Sequence, residues 1–411
     1  MPSRLWRDPD FVKLWVGQTV SLFGTLVGRF ALQLVAAITL AASPLEMSVL
    51  RVIDLAPTLL IGLFAGVWVD RLRRRPLLVW ADVARSILLL SVPIAALLGV
   101  LRIEQLYLIG FLVGVMATLF DVAYRSYLPS LVKREQLVDA NAKLQATNSV
   151  AEVAGFGLAG GLVQVLTAPL AVLVDAVSFL VSAVSLALIR RPEPPLSPAE
   201  ERQGTWLEIR EGLRLVWRDP VLRAFAGAKA TRDFFVQIWV AVLILFLTHD
   251  LEIAPVAMGL LFSIGGVSAF VGAVLVEPVT RRFGVGPTLT LAFFLQVLSL
   301  IAVPLAGGPP WLVLFMVGVG QLFDACYILY DVNETSLIQA VSPGRALGRI
   351  NASLRFVSWA AMVAGVLVGG LLGETIGLRS TMLLGAGAGL FSVLWLLLSP
   401  VPRLRVIEAA V

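Results

Sequence analysis

The sequence predicts an all-α polytopic membrane protein with twelve transmembrane helices in two pseudo-symmetric halves of six. Three observations predict this class: the composition, the placement of positive charges and an internal repeat. Of the 411 residues, 58% are hydrophobic and only 14% are charged, and the mean hydropathy is +0.91. A soluble chain of this size has too small a core to hide so much apolar surface, so we expect a lipid bilayer around it.

Twelve apolar runs account for the predicted helices, because a helix that crosses the bilayer needs roughly 20 mostly apolar residues. The first six runs lie near 11–40, 45–69, 76–100, 106–128, 144–167 and 169–190. The other six lie near 222–248, 254–278, 286–306, 311–334, 350–373 and 379–398.

The positive residues predict the orientation of these helices. With both termini in the cytoplasm, most of the 32 Lys and Arg residues fall in cytoplasmic loops, and the outer loops carry only Arg102 and Arg379. This bias is typical of a multi-pass protein of the plasma (inner) membrane. The net charge of +5 therefore reflects membrane topology, and we expect no nucleic-acid partner.

The two halves repeat one another in sequence. Trp6–Pro9 recurs as Trp217–Pro220, and Leu119–Asp121 recurs as Leu322–Asp324. A further register with one constant offset pairs Asn141 with Asn351, Gly155 with Gly365 and Gly160 with Gly370. Two parallel six-helix halves predict a pseudo-two-fold axis along the membrane normal, with a substrate site between the halves.

A polar segment separates the two bundles. We predict an N-terminal bundle over 1–190, a cytoplasmic linker over 191–221 and a C-terminal bundle over 222–411. Within the linker, Thr205–Glu208 has the pattern of a capping box that opens an amphipathic helix at the membrane surface. This helix is either a simple tether or a docking site for a regulatory partner.

Several chemistries are excluded by composition. The chain has one histidine, His249, and one cysteine, Cys326, so we expect no histidine-based or multi-cysteine metal site. The sequence contains no phosphate-binding glycine loop or nucleophile arrangement. We therefore predict no enzyme activity and no cofactor, and energy must come from an ion gradient or from the substrate's own gradient.

The loop between the second and third runs carries four arginines and a single acid. Gly66 is followed after three residues by Asp70 and Arg71, and then by Arg74 and Arg75. This spacing resembles the loop signature of the major facilitator superfamily, with Arg73 standing where that signature has glycine.

The resemblance implies a role for this loop as a conformational latch. In the family, the acid meets the start of helix 11, which corresponds here to the segment around Gly348 and Arg349. A helix start is partially positive and suits a carboxylate such as Asp70. The contact would exist only while the cytoplasmic side is closed.

Further segments resemble the bacterial siderophore, macrolide and multidrug exporter branch of the family. They are Phe11–Gln18, Asp82–Arg85, Leu128–Val132 and Gly348–Arg349. The resemblance implies export of a small molecule.

Glycines are concentrated in the fifth and eleventh runs. They are Gly155, Gly160, Gly161, Gly365, Gly369 and Gly370. The segment Gly155–Gly161 resembles a glycine-rich antiporter signature, with Phe156 in place of its proline. Small residues allow close helix packing, so these glycines serve either packing alone or also an export-type gate.

A charged residue inside an apolar run needs a partner or a water-lined cavity, so such residues are candidates for proton or substrate binding. We select Arg29, Asp54, Asp121, Glu152, Arg232, Asp233 and Asp324. Glu152 is our first choice for the proton, since no basic residue lies within one helical turn. The alternative for Glu152 is a fixed salt bridge to Arg29 or Arg355.

The other candidates have partners nearby in sequence. Asp54 lies three residues after Arg51, on one helix face, which predicts a structural ion pair. Asp121 and its counterpart Asp324 are predicted as gate or interface residues. Asp233, next to Arg232, is a cavity candidate.

The sequence therefore predicts a secondary transporter that exports an amphipathic small molecule by alternating access, coupled to protons or another ion. We expect a monomer in a lipid bilayer. The alternatives are an importer, a uniporter or a lipid translocator on the same scaffold, or a membrane receptor without transport.

Overall fold

The structure is a computed structural model that describes residues 4–70, 72–193, 205–342 and 346–405, apart from the side chains of Arg4, Leu59, Asp70, 62–67 and 205–209. All regular elements in these ranges are helices. The first half forms α1 Pro9–Leu34, α2 Pro44–Asp70, α3 Arg74–Leu97, α4 Ile103–Leu131, α5 Leu137–Leu166 and α6 Ala168–Ala187. The linker forms α7 Thr205–Arg218.

The second half has more, shorter helices because several of its spans are interrupted. They are α8 Pro220–Leu245, α9 Pro255–Phe283, α10 Val285–Ser299, α11 Ala302–Leu305, α12 Pro310–Leu322, α13 Asp324–Val341, α14 Leu347–Ile376, α15 Leu378–Gly389 and α16 Ser392–Leu397. Within the described residues, eleven helical stretches are long and apolar enough to cross a membrane. Together with the 27-residue α2, they correspond to the twelve predicted spans.

The chain divides into two compact units that exchange helix starts. Each unit contains the first residues of one helix whose remainder belongs to the other unit. The first unit contains α1, α3–α6 and most of α2, together with Ile253–Ser263 from the start of α9. The second unit contains α7, α8, α10–α16 and the rest of α9, together with Ser43–Val49 from the start of α2. The boundaries predicted from sequence do not include this exchange, because contacts between distant helix ends leave no local pattern.

The repeat seen in the sequence is also present in the local structure. Asp8 caps α1 by accepting hydrogen bonds from two backbone amides of the first turn, at 3.0 and 3.4 Å. Asp219 caps α8 in the same way, at 2.8 and 2.9 Å. Both helices also end in a five-residue π-helical turn, Val35–Thr39 and Phe246–Asp250. The two halves therefore begin and end their first helix with the same devices.

Each unit has an apolar core of its own. In the first, residues of α1, α3, α4 and α6 pack around buried aromatic side chains such as Phe11 and Tyr127. In the second, α8, α10, α13 and α14 pack around Phe225 and Phe293. These cores fix the helices on which the charged side chains are carried.

Glycines of α5 lie where other helices approach closely. In the first unit, a Cβ at Gly155 would collide with Leu26 of α1, and one at Gly160 would collide with the carbonyl oxygen of Pro255 at the start of α9. A Cβ at Gly161 meets no described atom within 4 Å. The packing role predicted for the whole glycine segment therefore does not hold at Gly161, because that residue is on a different side of the helix.

The matching glycines of α14 are packed in the second unit. A Cβ at Gly365 would collide with the backbone of Phe234, and one at Gly369 would lie 2.7 Å from the carbonyl oxygen of Ile238. Gly370 faces Ser48 at the start of α2. The same small-residue contact is thus used in both halves.

A carboxylate holds the start of α2 in the second unit. Glu374, near the end of α14, accepts a hydrogen bond of 2.6 Å from the Ser43 hydroxyl and one of 3.3 Å from the Leu45 amide. The first amides of a helix have no intrahelical partner and carry partial positive charge. Glu374 therefore satisfies a helix start at the end of α2 opposite Asp70.

The linker helix α7 packs against α14. A Cβ at Gly212 would collide with the backbone of Arg349, and the Arg349 guanidinium forms an ion pair with Glu211. Arg210 and Arg214 are exposed, as the amphipathic pattern predicts. The predicted capping residues Thr205–Glu208 lie among those whose side chains are not described.

We predict that Gly160→Val destabilises the protein, whereas Gly161→Val does not. The added side chain at Gly160 overfills the contact between α5 and the start of α9, at a cost of about 1–3 kcal/mol. The melting temperature of the purified protein measures the difference. Equal melting temperatures for the two variants would contradict the packing described for α5.

We also predict that Glu374→Gln loosens the start of α2. Loss of charge-assisted hydrogen bonds, worth about 1.5–3 kcal/mol, should raise amide hydrogen exchange in the peptide containing Leu45 roughly tenfold. Thr375→Ala is the matched control, because the Thr375 hydroxyl bonds only to carbonyl groups of its own helix. The same exchange in all three proteins would show that Glu374 does not hold this helix end.

Candidate functional site

Charged and polar side chains gather inside the second unit. We call this group the C-terminal cluster, and it comprises Lys229, Arg232, Asp233, Gln296, Asp324, Tyr327, Asp331, Glu334 and Ser358. The members come from four helices, α8, α10, α13 and α14. Several are buried, among them Asp233, Gln296, Glu334 and Ser358, so the cluster is a polar region within an apolar bundle.

The centre of the C-terminal cluster is the pair Arg232 and Asp233. An Arg232 Nη1 lies 2.9 Å from Asp233 Oδ1, although the two residues are neighbours on one helix. The Arg232 Nε donates to Gln296 Oε1 at 3.0 Å, and the guanidinium lies 4.9 Å from the ring centroid of Tyr327. The Ser358 hydroxyl donates to Asp233 Oδ2. Hydrogen bonds from three helices thus fix the orientation of both charges.

A second ion pair lies one helical turn away on α8. Lys229 Nζ is 3.5 Å from Glu334 Oε2, and Glu334 is only 2% exposed. Lys229 and Arg232 are three residues apart, so both side chains project from the same side of α8. The two cations of the cluster therefore lie next to each other along α8.

Acids outnumber cations in the C-terminal cluster. Asp324 lies against Gly265 of α9 and within the electrostatic range of Arg232, with which it forms no ion pair. Asp331 acts electrostatically on Lys229. Four carboxyl groups face two cations, so the cluster carries excess negative charge when all of them are ionised. Such a site attracts protons or a positively charged ligand.

The first unit contains a smaller group, which we call the N-terminal cluster: Asp82, Arg85, Phe120, Asp175, Ser178 and Phe179. The ion pair between Asp82 and Arg85 is the one that their spacing of three residues predicts. The Arg85 guanidinium contacts two rings, 4.5 Å from the centroid of Phe120 and 4.1 Å from that of Phe179. These cation–π contacts hold the charge in place.

The structure places Arg29 and Asp121 near the N-terminal cluster. Both side chains are exposed. Arg29 acts electrostatically on Asp121 and on Asp175. Asp121 forms no ion pair with Arg125, although Arg125 lies within its electrostatic range. Arg29 and Asp121 therefore lie near the N-terminal cluster but are not buried within it.

The remaining acid candidates lie apart from both clusters. Asp54 Oδ2 is 3.4 Å from Arg51 Nη1, as their spacing predicts, and both side chains are about one-third exposed, at 40% and 32%. Glu152 is exposed, and it forms no hydrogen bond or ion pair with any described residue of the first unit. The alternative salt bridge of Glu152 to Arg29 is not formed among the described residues of the first unit, and the one to Arg355 stays a prediction.

The latch residues are described only in part. Arg71 and the side chain of Asp70 lie outside the residues that the structure describes, and Gly66 is described only as part of α2. The predicted role of Asp70 therefore stays a prediction. Gly348 is exposed.

Two arginines of the same loop have structural contacts. The Arg74 and Arg75 amides each donate to Glu193 at 2.7 Å. The Arg75 side chain donates to the carbonyl oxygens of Leu186 and Ala187 at the end of α6. These contacts tie α3 to α6 within the first unit.

Sequence reasoning missed several residues of the clusters, among them Asp175, Lys229 and Gln296. Asp175 is a lone acid in a long apolar run, and Lys229 lies three residues before Arg232; a count of every charge inside the runs would have found both. Gln296 is uncharged, and only its contact with Arg232 reveals its role. The described residues contain no group of three or more His, Cys, Asp or Glu side chains that could hold a metal ion.

Comparison with known proteins agrees with this architecture. The family model of the Major Facilitator Superfamily matches residues 14–330. The MFS-type transporter YfiS of Bacillus subtilis (strain 168) is 23% identical, and the match covers 93% of this chain and 91% of YfiS. The multidrug efflux pump Tap of Mycolicibacterium fortuitum is 28% identical over 90% of both chains.

A solved structure has the same fold. The inward-facing crystal structure of a bacterial homologue of the iron transporter ferroportin superposes with a TM-score of 0.78 at 18% identity, covering 94% of this chain and 98% of that one. The family match spans most of the sequence, and the fold, the repeat and the relatives agree with it. This chain belongs to the Major Facilitator Superfamily of membrane transporters.

Proposed function

We propose that the protein is a secondary transporter of the plasma membrane that exports an amphipathic small molecule in exchange for protons. The observation that carries this proposal is the C-terminal cluster, in which four carboxyl groups face two cations inside an apolar bundle. A ligand that combines a charged group with an apolar body matches such a site. The relationship to the multidrug efflux pump Tap supports export.

The immediate surroundings of the cluster suit an amphipathic substrate. Phe234 and Phe235 follow Asp233 on α8, and their ring centroids are 5.1 Å apart. The Tyr327 ring stacks on Arg232. Aromatic rings next to ionisable groups provide apolar contact and a polar anchor within one small volume.

The proposed transport cycle uses latches at both ends of α2. Asp70, at one end, closes the cytoplasmic side by meeting the start of α14. Glu374 holds the other end of α2 through Ser43 and Leu45. Both contacts place a carboxylate at a helix start, and alternating access requires that they form in turn.

Export by proton antiport predicts that a pH gradient drives the transport of ethidium, a cationic amphipathic dye. In inverted membrane vesicles that are acidic inside, ethidium should accumulate, and nigericin should abolish the accumulation by collapsing the gradient. Accumulation that is indifferent to nigericin would remove the claim of proton coupling and favour a uniporter.

The same assay tests the cluster. Asp233→Asn leaves Arg232 without its paired carboxylate, and we expect the initial rate of ethidium transport to fall roughly tenfold, the effect of about 1.4 kcal/mol on a rate. Glu277→Gln is the matched control, because Glu277 is an exposed acid of α9 that forms an ion pair with the equally exposed Arg281. Equal rates in the two variants would exclude the C-terminal cluster as the substrate site.

A further inference from the structure

Two carboxyl groups and one guanidinium are buried together in the first unit. Asp82, Asp175 and Arg85 are 0%, 4% and 6% exposed. Asp82 and Arg85 lie on α3, and Asp175 lies on α6. A buried charge without a partner is costly, by several kcal/mol even after relaxation. One guanidinium therefore has to be divided between two acids, or one of the acids has to be neutral.

The ion-pair partner of Arg85 is Asp82. These two side chains form the ion pair, and the rings of Phe120 and Phe179 both lie against the guanidinium. The ion pair and the two ring contacts hold the guanidinium in place. Its Nε donor is buried and has no hydrogen-bond partner among the described residues. Arg85 thus has an unused donor for a second carboxylate.

Hydrogen bonds stabilise Asp175 only weakly as an anion. The Ser178 hydroxyl lies 3.4 Å from Oδ1, but the same hydroxyl lies 2.8 Å from the Asp175 carbonyl oxygen. A hydroxyl has one hydrogen, and the shorter contact takes the larger share of it. Among the described residues, the Asp175 carboxyl group is left with this one weak hydrogen bond and no ion pair.

The neighbouring helices confirm that Asp175 is enclosed. Gly24 and Gly28 of α1 lie directly against its carboxyl group, where a Cβ on Gly28 would collide with Oδ2. The charged groups that act on it are Arg85 and Asp82 from α3 and Arg29 from α1. Asp121 on α4 also acts on Arg85 and so competes for the same cation. Among the described residues, none of these groups forms an ion pair with Asp175, and Arg29 is exposed.

We propose that Asp175 is the proton-binding site of this transporter. It holds a proton while Arg85 pairs with Asp82. When its O–H bond breaks, the proton passes to water, and the carboxylate left behind is stabilised by the free Nε donor of Arg85. This assignment rests on the proposed proton-coupled export. Asp175 replaces Glu152 as the candidate for the proton, because Glu152 is exposed and its carboxyl group can stay ionised at its position.

Infrared spectroscopy tests the assignment without a substrate. A protonated carboxylic acid has a C=O stretching band that a carboxylate lacks. The wild-type protein in lipid nanodiscs at neutral pH should show this band and lose it on alkalinisation. Asp175→Asn should lack the band, and Glu277→Gln should retain it. A band of unchanged intensity in Asp175→Asn, or no band in the wild type, would overturn the proposal.

A second variant tests the proposal if the first one does not fold. Asparagine has the shape and the neutral charge of the protonated acid, so Asp175→Asn should keep about the wild-type melting temperature. If it does not yield folded protein, Ser178→Ala decides, because removal of the hydroxyl beside Oδ1 should shift the frequency of the band. A band that does not shift would assign the proton to another acid.

The role of Asp175 in coupling is tested separately by transport. If ethidium accumulation by the wild type responds to the pH gradient, accumulation by Asp175→Asn should not. A response retained in Asp175→Asn would overturn the proposal while leaving proton-coupled export intact. A wild type that ignores the gradient would instead refute the proposed function, and the infrared band would then decide alone whether Asp175 holds a proton.

Discussion

The hydrocarbon core of a membrane offers no water to a charged side chain, and this constraint determines how the charged residues of this protein are arranged. Each cation of the two clusters is matched by a carboxylate on its own helix or on another one, and each guanidinium at the centre of a cluster also lies against an aromatic ring. Arg85 pairs with Asp82 and contacts two rings. Arg232 pairs with Asp233 over one ring. The acids left over after this pairing are the groups available for function.

The two halves share a scaffold but differ in their polar interiors. The aspartate caps of α1 and α8 and the π-helical turns that end these helices are repeated. The charged clusters are not repeated, since the N-terminal cluster joins α3 to α6 and the C-terminal cluster joins α8 to α10, α13 and α14. In our account, this asymmetry divides the work, with the proton on Asp175 and the substrate at the C-terminal cluster.

Features that depend on local pattern could be predicted from the sequence. The apolar runs predicted the helices, and the spacing of Arg51 and Asp54 predicted their ion pair. Features that depend on which helices meet could not be predicted. The pair Lys229 and Glu334 joins residues 105 positions apart, and the difference between Gly160 and Gly161 depends on which side of α5 meets another helix. The isolation of Glu152 from basic residues in the sequence does not measure its burial, and Glu152 is exposed.

The central claim is that substrate binding at the C-terminal cluster is exchanged for the proton held by Asp175 in the N-terminal cluster. The most direct measurement is the pH change when ethidium binds to the purified protein in a weakly buffered solution that contains an indicator dye. Our account predicts that binding of ethidium releases protons into the solution. Saturable binding of ethidium with no change in pH would contradict it.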